Sequence, residues 1–231
     1  MPSPIRTART ALAGLALAAA LPAAMAVDTT LDFSGAICGA TGDQACSNGA
    51  QIGQSYGDIA GVLDVSHRSI VVSSNTTFEP YLKHWDSNYS NLRGVAWGGG
   101  ESTSFASEMT FLAGAGQQVT LSGLSFGDYQ NRNRGSSFTV SDLAGTLLFS
   151  SGAFDPGLTA SIFAPNVTSA GLVLRWGPDG YDVGVDDIRL SVTATTVQPP
   201  VTPIPEPETY ALMLAGLGAL GAVAKRRRRP V

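Results

Sequence analysis

Two histidines and two cysteines in 231 residues leave little of the usual material of enzyme sites. His67 and His84 stand in no H-E-x-x-H pair, and neither a strand-to-helix nucleophile elbow nor a phosphate-cradling glycine loop is present, so the commonest metal, serine and nucleotide chemistries lack their carriers. Cations are scarce as well. Setting aside two near the N-terminus and five near the C-terminus, residues 27–204 hold seven Lys and Arg against 16 Asp and Glu, a net charge near −9. Such a domain repels phosphate backbones, which argues against nucleic acid as a partner. Helical periodicity is missing between residues 30 and 195, and no repeat of 20 to 50 residues recurs, so bundles, solenoids and propellers are disfavoured. No uncharged apolar run reaches the roughly 20 residues that span a bilayer.

The two ends carry addresses instead. Residues 1–26 place Arg6 and Arg9 before an apolar segment, Ala11 to Leu21, that closes on Ala24-Met25-Ala26. This is the layout of a secretory signal peptide, with the mature chain expected to begin at Val27. At the other end, residues 197–208 are Pro-rich and cannot form a helix or a central strand, because proline fixes φ and removes a donor. From Thr209 to Ala224 no side chain is charged, and these 16 positions would make a helix of about 24 Å. We expect a transmembrane helix over 209–224, shorter than the ~30 Å hydrocarbon core and relying on snorkelling cations. Lys225, Arg226, Arg227, Arg228 and Arg229 then form a basic cytoplasmic tail, residues 225–231, that sets the orientation.

Pro205, Glu206 and Pro207, followed by a Leu/Ala/Gly-rich apolar stretch and the five cations, resemble the PEP-CTERM sorting signal of exported bacterial proteins. The resemblance covers about residues 204–229. It implies recognition by an exosortase, a transient anchor in the inner membrane, cleavage near the Pro-Glu-Pro motif, and delivery to the cell surface or the extracellular medium. Proteins of this kind accompany extracellular polysaccharide and biofilm matrix.

Residues 27–196 are enough for one domain with a substantial core. Short segments rich in β-branched and aromatic residues alternate with Gly, Asn, Asp and Ser clusters, the pattern of an all-β fold. The expected strands are "TTLDFSG", "RSIVVSS", "RGVAWG", "SFASEMTFLA", "QQVTLSGLSFG", "SFTVSD", "GTLLFSS", "ASIFAP", "AGLVLRW" and "YDVGVDDIRLSVT". They predict a single jelly-roll-like β-sandwich. Within "QQVTLSGLSFG" the apolar parity changes at Ser122-Gly123, which predicts a bulge. Cys38 and Cys46, eight positions apart in an exported Gly-rich loop, read as a disulfide.

Two places in the domain could carry chemistry. In the last strand Ile188, Leu190 and Val192 share a parity that brings Asp186 to the same face, and a buried carboxylate needs a partner. This "VDDI" ending resembles the final strand of jelly-roll carbohydrate-binding modules and of the lectin-like domains joined to PEP-CTERM tails. The resemblance implies a structural Ca²⁺ held by Asp186 with Asp28 or Asp32; the other reading is an Asp hydrogen-bonded to backbone at a kink. Asp179 and Asp182 add carboxylates nearby, although the order of an EF-hand loop is absent. The segment Phe78 to Trp97 concentrates Tyr81, Trp85, Tyr89 and Trp97 among Asn, Asp and Arg, a composition suited to a sugar-binding platform if the rings are exposed and to a core if they are not. Glu79, Glu101 and Glu108 are the only glutamates available to a glycosidase pair in the domain. The expectation is a non-enzymatic protein with a structural or adhesive role in exopolysaccharide. The alternative is a lectin-like carbohydrate-binding module, and a polysaccharide hydrolase stands behind both.

Overall fold

The computed structural model describes residues 26–130, 132, 134–195 and 207–227. They fall into two units, one through Thr195 and one from Thr196 onward. Residues 1–25 of the expected signal peptide lie outside the described residues, as do Pro205, Glu206, Arg228 and Arg229.

Among the described residues, thirteen strands build the first unit. In chain order they begin with β1 (Val27–Leu31), β2 (Leu63–Val71), β3 (Thr76–Glu79), β4 (Lys83–Trp85), β5 (Val95–Trp97) and β6 (Phe105–Ala113). They continue with β7 (Gln117–Asp128), β8 (Ser136–Asp142), β9 (Leu147–Phe154), β10 (Ser161–Phe163), β11 (Val167–Ser169), β12 (Gly171–Gly177) and β13 (Val183–Ala194). All ten expected segments contain strands, and β3, β4 and β11 are additional. One sheet has seven strands along the path β10-β7-β13-β5-β4, with β1 on β13 and β11 on β7; the other has six in the order β3-β2-β6-β12-β8-β9. The pairings among these strands are antiparallel, so the expected all-β sandwich is present.

Alternation drives each sheet inward. In β2, Leu63, Val65 and His67 are buried while Asp64 and Ser66 are exposed. Between the sheets Trp176 is fully buried and donates its indole N–H to the Val183 carbonyl at 2.9 Å. Phe126 from one sheet and Phe138 from the other meet at 5.1 Å between ring centroids, and Phe163 closes on Phe138 at 4.9 Å. His67 fills the same interior. Its Nδ1 accepts the Leu82 N–H at 3.0 Å and its Nε2 faces the Gly53 carbonyl at 3.1 Å, an arrangement that suits the neutral ring.

The parity change at Ser122 is real. Leu190 pairs with Leu121 but Arg189 with Gly123, which leaves Ser122 as an extra residue in β7. A second irregularity lies opposite: Asp186 pairs with Ser125 and Arg189 with Gly123, so β13 carries the extra residue there and Asp187 takes a φ of 52°. This corrects the expected facing of Asp186. Val183, Val185 and Ile188 lie in the central core. With side chains alternating up to the bulge, Asp186 shares the opposite face with Gly184.

Cys38 and Cys46 form the expected disulfide, with Cα atoms 5.1 Å apart. It closes the loop after β1, where Cys38 bridges to Gln44 and Ile52.

The second unit contains one helix among its described residues, α1 (Pro207–Arg227), of 21 residues. Proline opens it, where its missing N–H costs nothing. It is longer than the expected 209–224 at both ends, taking in Pro207 and Glu208 at its start and Lys225, Arg226 and Arg227 in its final turn. Leu212, Met213, Leu214, Leu217, Leu220 and Val223 are all exposed, apolar on every side. Among the described residues, no helix is long and apolar enough to cross a membrane. Within α1 the uncharged run of the expected 209–224 segment stops at 16 residues, and glycine and alanine fill much of it.

Candidate functional site

Gly127 and Gly184 are register partners in β7 and β13. A methyl group on Gly127 would stand 2.5 Å from the Tyr89 carbonyl oxygen, and one on Gly184 would stand 2.8 Å from Val95 Cγ2. Because neither carries a side chain, the segment through Tyr89, Leu92 and Val95 lies flat on this outer face of the seven-stranded sheet. It forms a second small core of Tyr89, Leu92, Val95 and Trp97, against which Trp85, Tyr129 and Tyr181 pack half-buried.

The rings meet edge to face, as aromatic quadrupoles favour. Trp85 packs on Tyr129 at 5.3 Å and on Trp97 at 6.2 Å, while Trp97 meets Tyr181 at 4.9 Å. Tyr89 donates its hydroxyl to the Tyr181 carbonyl at 2.6 Å. Burial and the nearby Asp182 push the Tyr89 hydroxyl well above its ordinary range. The indole N–H groups of Trp85 and Trp97 are both shielded from solvent and make no hydrogen bond among the described residues. Of the four residues expected as a sugar platform, Trp85, Trp97 and Tyr89 are thus assembled, but Trp97 and Tyr89 are core rather than exposed faces. Tyr81 takes no part in these ring contacts.

A charged rim adjoins the rings. Arg132 lies over Tyr129 at 5.4 Å and reaches Asp182 at 3.6 Å, while Arg134 reaches Asp179 at 3.4 Å and Asp182 at 3.3 Å. Asp128, Asp179 and Asp182 are all buried. Burial, followed by the Asp179 charge, raises the carboxyl of Asp182 above its usual range. Tyr129, Tyr181, Arg132 and Arg134 were not expected at this site. The signal was the pair of glycines in strands that are otherwise apolar, which marks a close approach of another segment.

The calcium set gathers only in part. Asp28 pairs with Ser191, five positions along β13 from Asp186, and is exposed. Asp32 comes near enough to Asp186 to act on it electrostatically. Asp186 is 5% exposed, and burial pushes its carboxyl up to about 8, with Asp187 and Asp32 adding to the rise and the Asp187 N–H opposing it. That N–H donates to Asp186 Oδ1 at 2.7 Å, the backbone alternative expected at a kink. Calcium takes six to eight oxygens at 2.3–2.6 Å. Among the described residues, the one set of three His, Cys, Asp or Glu donors lying within 4.8 Å of one another is Cys38, Cys46 and His84. Both of those sulfurs are spent on the disulfide. Asp186, Asp32 and Asp28 are therefore not brought together as such a set.

Catalytic groups are no better assembled. Gly123-Leu124-Ser125-Phe126-Gly127 has the spacing of a nucleophile elbow, but it runs inside β7 with Ser125 buried and paired to Asp186. Glu79 is tied to Lys83 at 2.7 Å, and Glu108 is held between two arginines.

No curated protein matches the chain at a significant level. Among solved structures, an isomalto-dextranase of Arthrobacter globiformis T6, complexed with panose, is 12% identical over 73% of this chain and 32% of its own, with a TM-score of 0.28. The chain spans about a third of that enzyme's length, and a likeness of this size carries no argument. The tail is different: residues 203–229 match the PEP-CTERM protein-sorting motif, the mark of an exported protein handled by an exosortase.

Proposed function

We propose that the β-sandwich is carried across the inner membrane, held there by its C-terminal tail, trimmed near Pro205-Glu206-Pro207 by an exosortase, and left at the surface or in the matrix. There it serves a structural or adhesive role among extracellular polysaccharides and performs no chemistry of its own. The sorting motif over residues 203–229 carries this reading. The disulfide-closed sandwich supports it, since such a bridge persists in oxidising compartments outside the cytoplasm. Intact-mass measurement of the protein from membrane and medium, with and without the exosortase, tests it. The expected result is loss of about 25 C-terminal residues only when the enzyme is present. An uncleaved tail in both strains would leave a permanently anchored protein and remove the matrix role.

A second reading has one specific observation in its favour. Trp85 and Tyr129 are half-buried beside Arg132, a ring edge with a polar neighbour of the kind that packs on sugars. A glycan array in which Trp85→Ala abolishes binding would move the assignment to a carbohydrate-binding module.

A further inference from the structure

On the outer face of the six-stranded sheet three charges lie in one row. Arg68 of β2 is directly opposite Glu108 of β6, and Glu108 is directly opposite Arg175 of β12. Strands are roughly 4.8 Å apart, so the three side chains are near neighbours. Glu108 Oε1 accepts both Nε and Nη2 of Arg68 at 2.7 Å. Glu108 Oε2 accepts Nε of Arg175 at 3.0 Å and also its Nη2. The carboxylate side chain is 6% exposed, while each arginine side chain keeps 38% of its surface in solvent.

One carboxylate would balance one arginine. The second leaves a fixed positive charge on a domain whose net charge is near −9. The guanidinium planes are held from their far sides too: Arg68 Nη1 donates to Thr77 Oγ1 at 3.1 Å, and Arg175 Nη2 donates to Asn75 Oδ1 at 2.7 Å. Arg175 Nη1 makes no hydrogen bond among the described residues. Two depressions flank the row. One, of about 330 Å³, is lined by Gln54, Ser66, Arg68 and Thr110; the other, of about 350 Å³, by Thr139, Arg175 and Trp176. Thr139 extends the row beyond Arg175, and Ser150 extends it again. A planar guanidinium fixed in advance, with an open N–H edge above a floor of hydroxyls, is suited to a ligand that combines an oxyanion with sugar-like hydroxyls.

We infer that this face binds an acidic glycan, with a carboxylate or sulfate group of the chain seated on Arg68 and Arg175 and neighbouring sugar hydroxyls meeting Ser66, Thr110 and Thr139. Glu108 is a positioning residue, holding both guanidiniums and not touching the ligand. The inference rests on the polysaccharide-associated role proposed above and names the chemistry of the polysaccharide.

The test is calorimetric titration of the exported chain with three oligosaccharides of equal length: oligogalacturonate, sulfated dextran and neutral dextran. Binding of an acidic oligomer with no detectable binding of the neutral one is expected. A uronate preference assigns the carboxylate as the seated group, and a sulfate preference assigns the sulfate ester. Arg175→Gln should weaken binding at least tenfold, and Arg175→Lys, which keeps charge but loses the fork, should weaken it by a similar factor. Glu108→Gln removes the competing anion while keeping an acceptor oxygen between the two guanidiniums, so binding should tighten even if thermal stability falls; unchanged or weaker binding would mark a row that only braces the sheet. Equal affinity for neutral and acidic oligomers, or unchanged affinity in both Arg175 variants, would overturn the inference. The exosortase mass measurement is independent of all these titrations, so failure here and failure of the sorting reading are told apart.

Discussion

Replacing Asp186 by asparagine removes an ionisation that the fold resists. The carboxyl is 5% exposed and stands at about 8 against an ordinary 3.8. Folding therefore binds a proton anywhere between those two values. At 1.36 kcal/mol per tenfold in acidity, the full cost above pH 8 is roughly 6 kcal/mol, of which about a third, ~2 kcal/mol, is expected once local relaxation and water penetration are allowed for. The sign follows from the direction. A raised folded-state value means that the stabilisation from this group is complete below about pH 3.8 and is lost as pH rises through about 8. The side-chain amide of Asp186→Asn would keep the carbonyl oxygen that accepts the Asp187 N–H and would present an N–H₂ group where the protonated acid presents O–H. The variant should therefore match the wild type near pH 4 and exceed it by ~2 kcal/mol at pH 8, about 4–8 °C in melting temperature for a domain of this size. Thermal melts followed by circular dichroism between pH 4 and pH 9, in chelator, provide the readout. A variant no more stable than wild type at pH 8 would refute the account of a buried, protonated Asp186. The same melts with added calcium separate the two readings of the residue: a wild-type melting point that climbs with calcium, and an amide variant that does not respond, would make Asp186 a cation ligand after all.

Gly127→Ala should cost about 1–3 kcal/mol, because the new methyl would meet the Tyr89 backbone carbonyl at 2.5 Å, which cannot swing away as a side chain can. Near-UV circular dichroism of the Trp85, Trp97 and Tyr129 cluster should weaken in the same variant, and an unchanged spectrum would separate the glycine from the ring packing. Removing the bridge with Cys38→Ser and Cys46→Ser together should cost roughly 2–3 kcal/mol by loop closure, read as a lower midpoint in urea; equal midpoints would show the loop to be ordered without it. His67 is held below its ordinary value chiefly by burial, so its contribution is complete above about pH 6.5 and is lost as pH falls through the lower folded-state value. His67→Gln should flatten the decline in stability below pH 6.5, the slope that remains combining His84, which burial depresses likewise, with the opposite contribution of Asp186.

The all-β sandwich was legible because period-two alternation survives in the strands whose outer face meets water, as in β2 and β8. The strands that went unseen are short, and context makes them. β3, β4 and β11 have four, three and three residues, too few to carry a period of two, and β4 is placed by its pairing with β5. The facing of Asp186 was misread for a related reason. Counting back from Ile188 assumes an even strand, and the extra residue at Asp187 breaks the count, whereas the matching bulge at Ser122 announced itself because apolar residues stand on both sides of it. Charge told less than it could have. Arg68, Glu108 and Arg175 each interrupt an apolar strand, at "SHRSIV", "SEMTFL" and "LVLRW", but the sequence does not say that three such interruptions share a row; only the register does.

The address and the surface are separable properties of this chain. The motif at residues 203–229 marks the chain for handling by an exosortase. The β-sandwich is a distinct unit ending at Thr195, so its ligand, whether met at the aromatic cluster on one sheet or at the arginine row on the other, must be read from its own faces. These sites differ in physics. Ring stacking is insensitive to salt, while a seated oxyanion on two guanidiniums competes with bulk anions and weakens as ionic strength rises. Binding to extracted matrix that falls about tenfold between roughly 20 and 300 mM salt would therefore assign the arginine row, and binding that holds across that range would assign the rings.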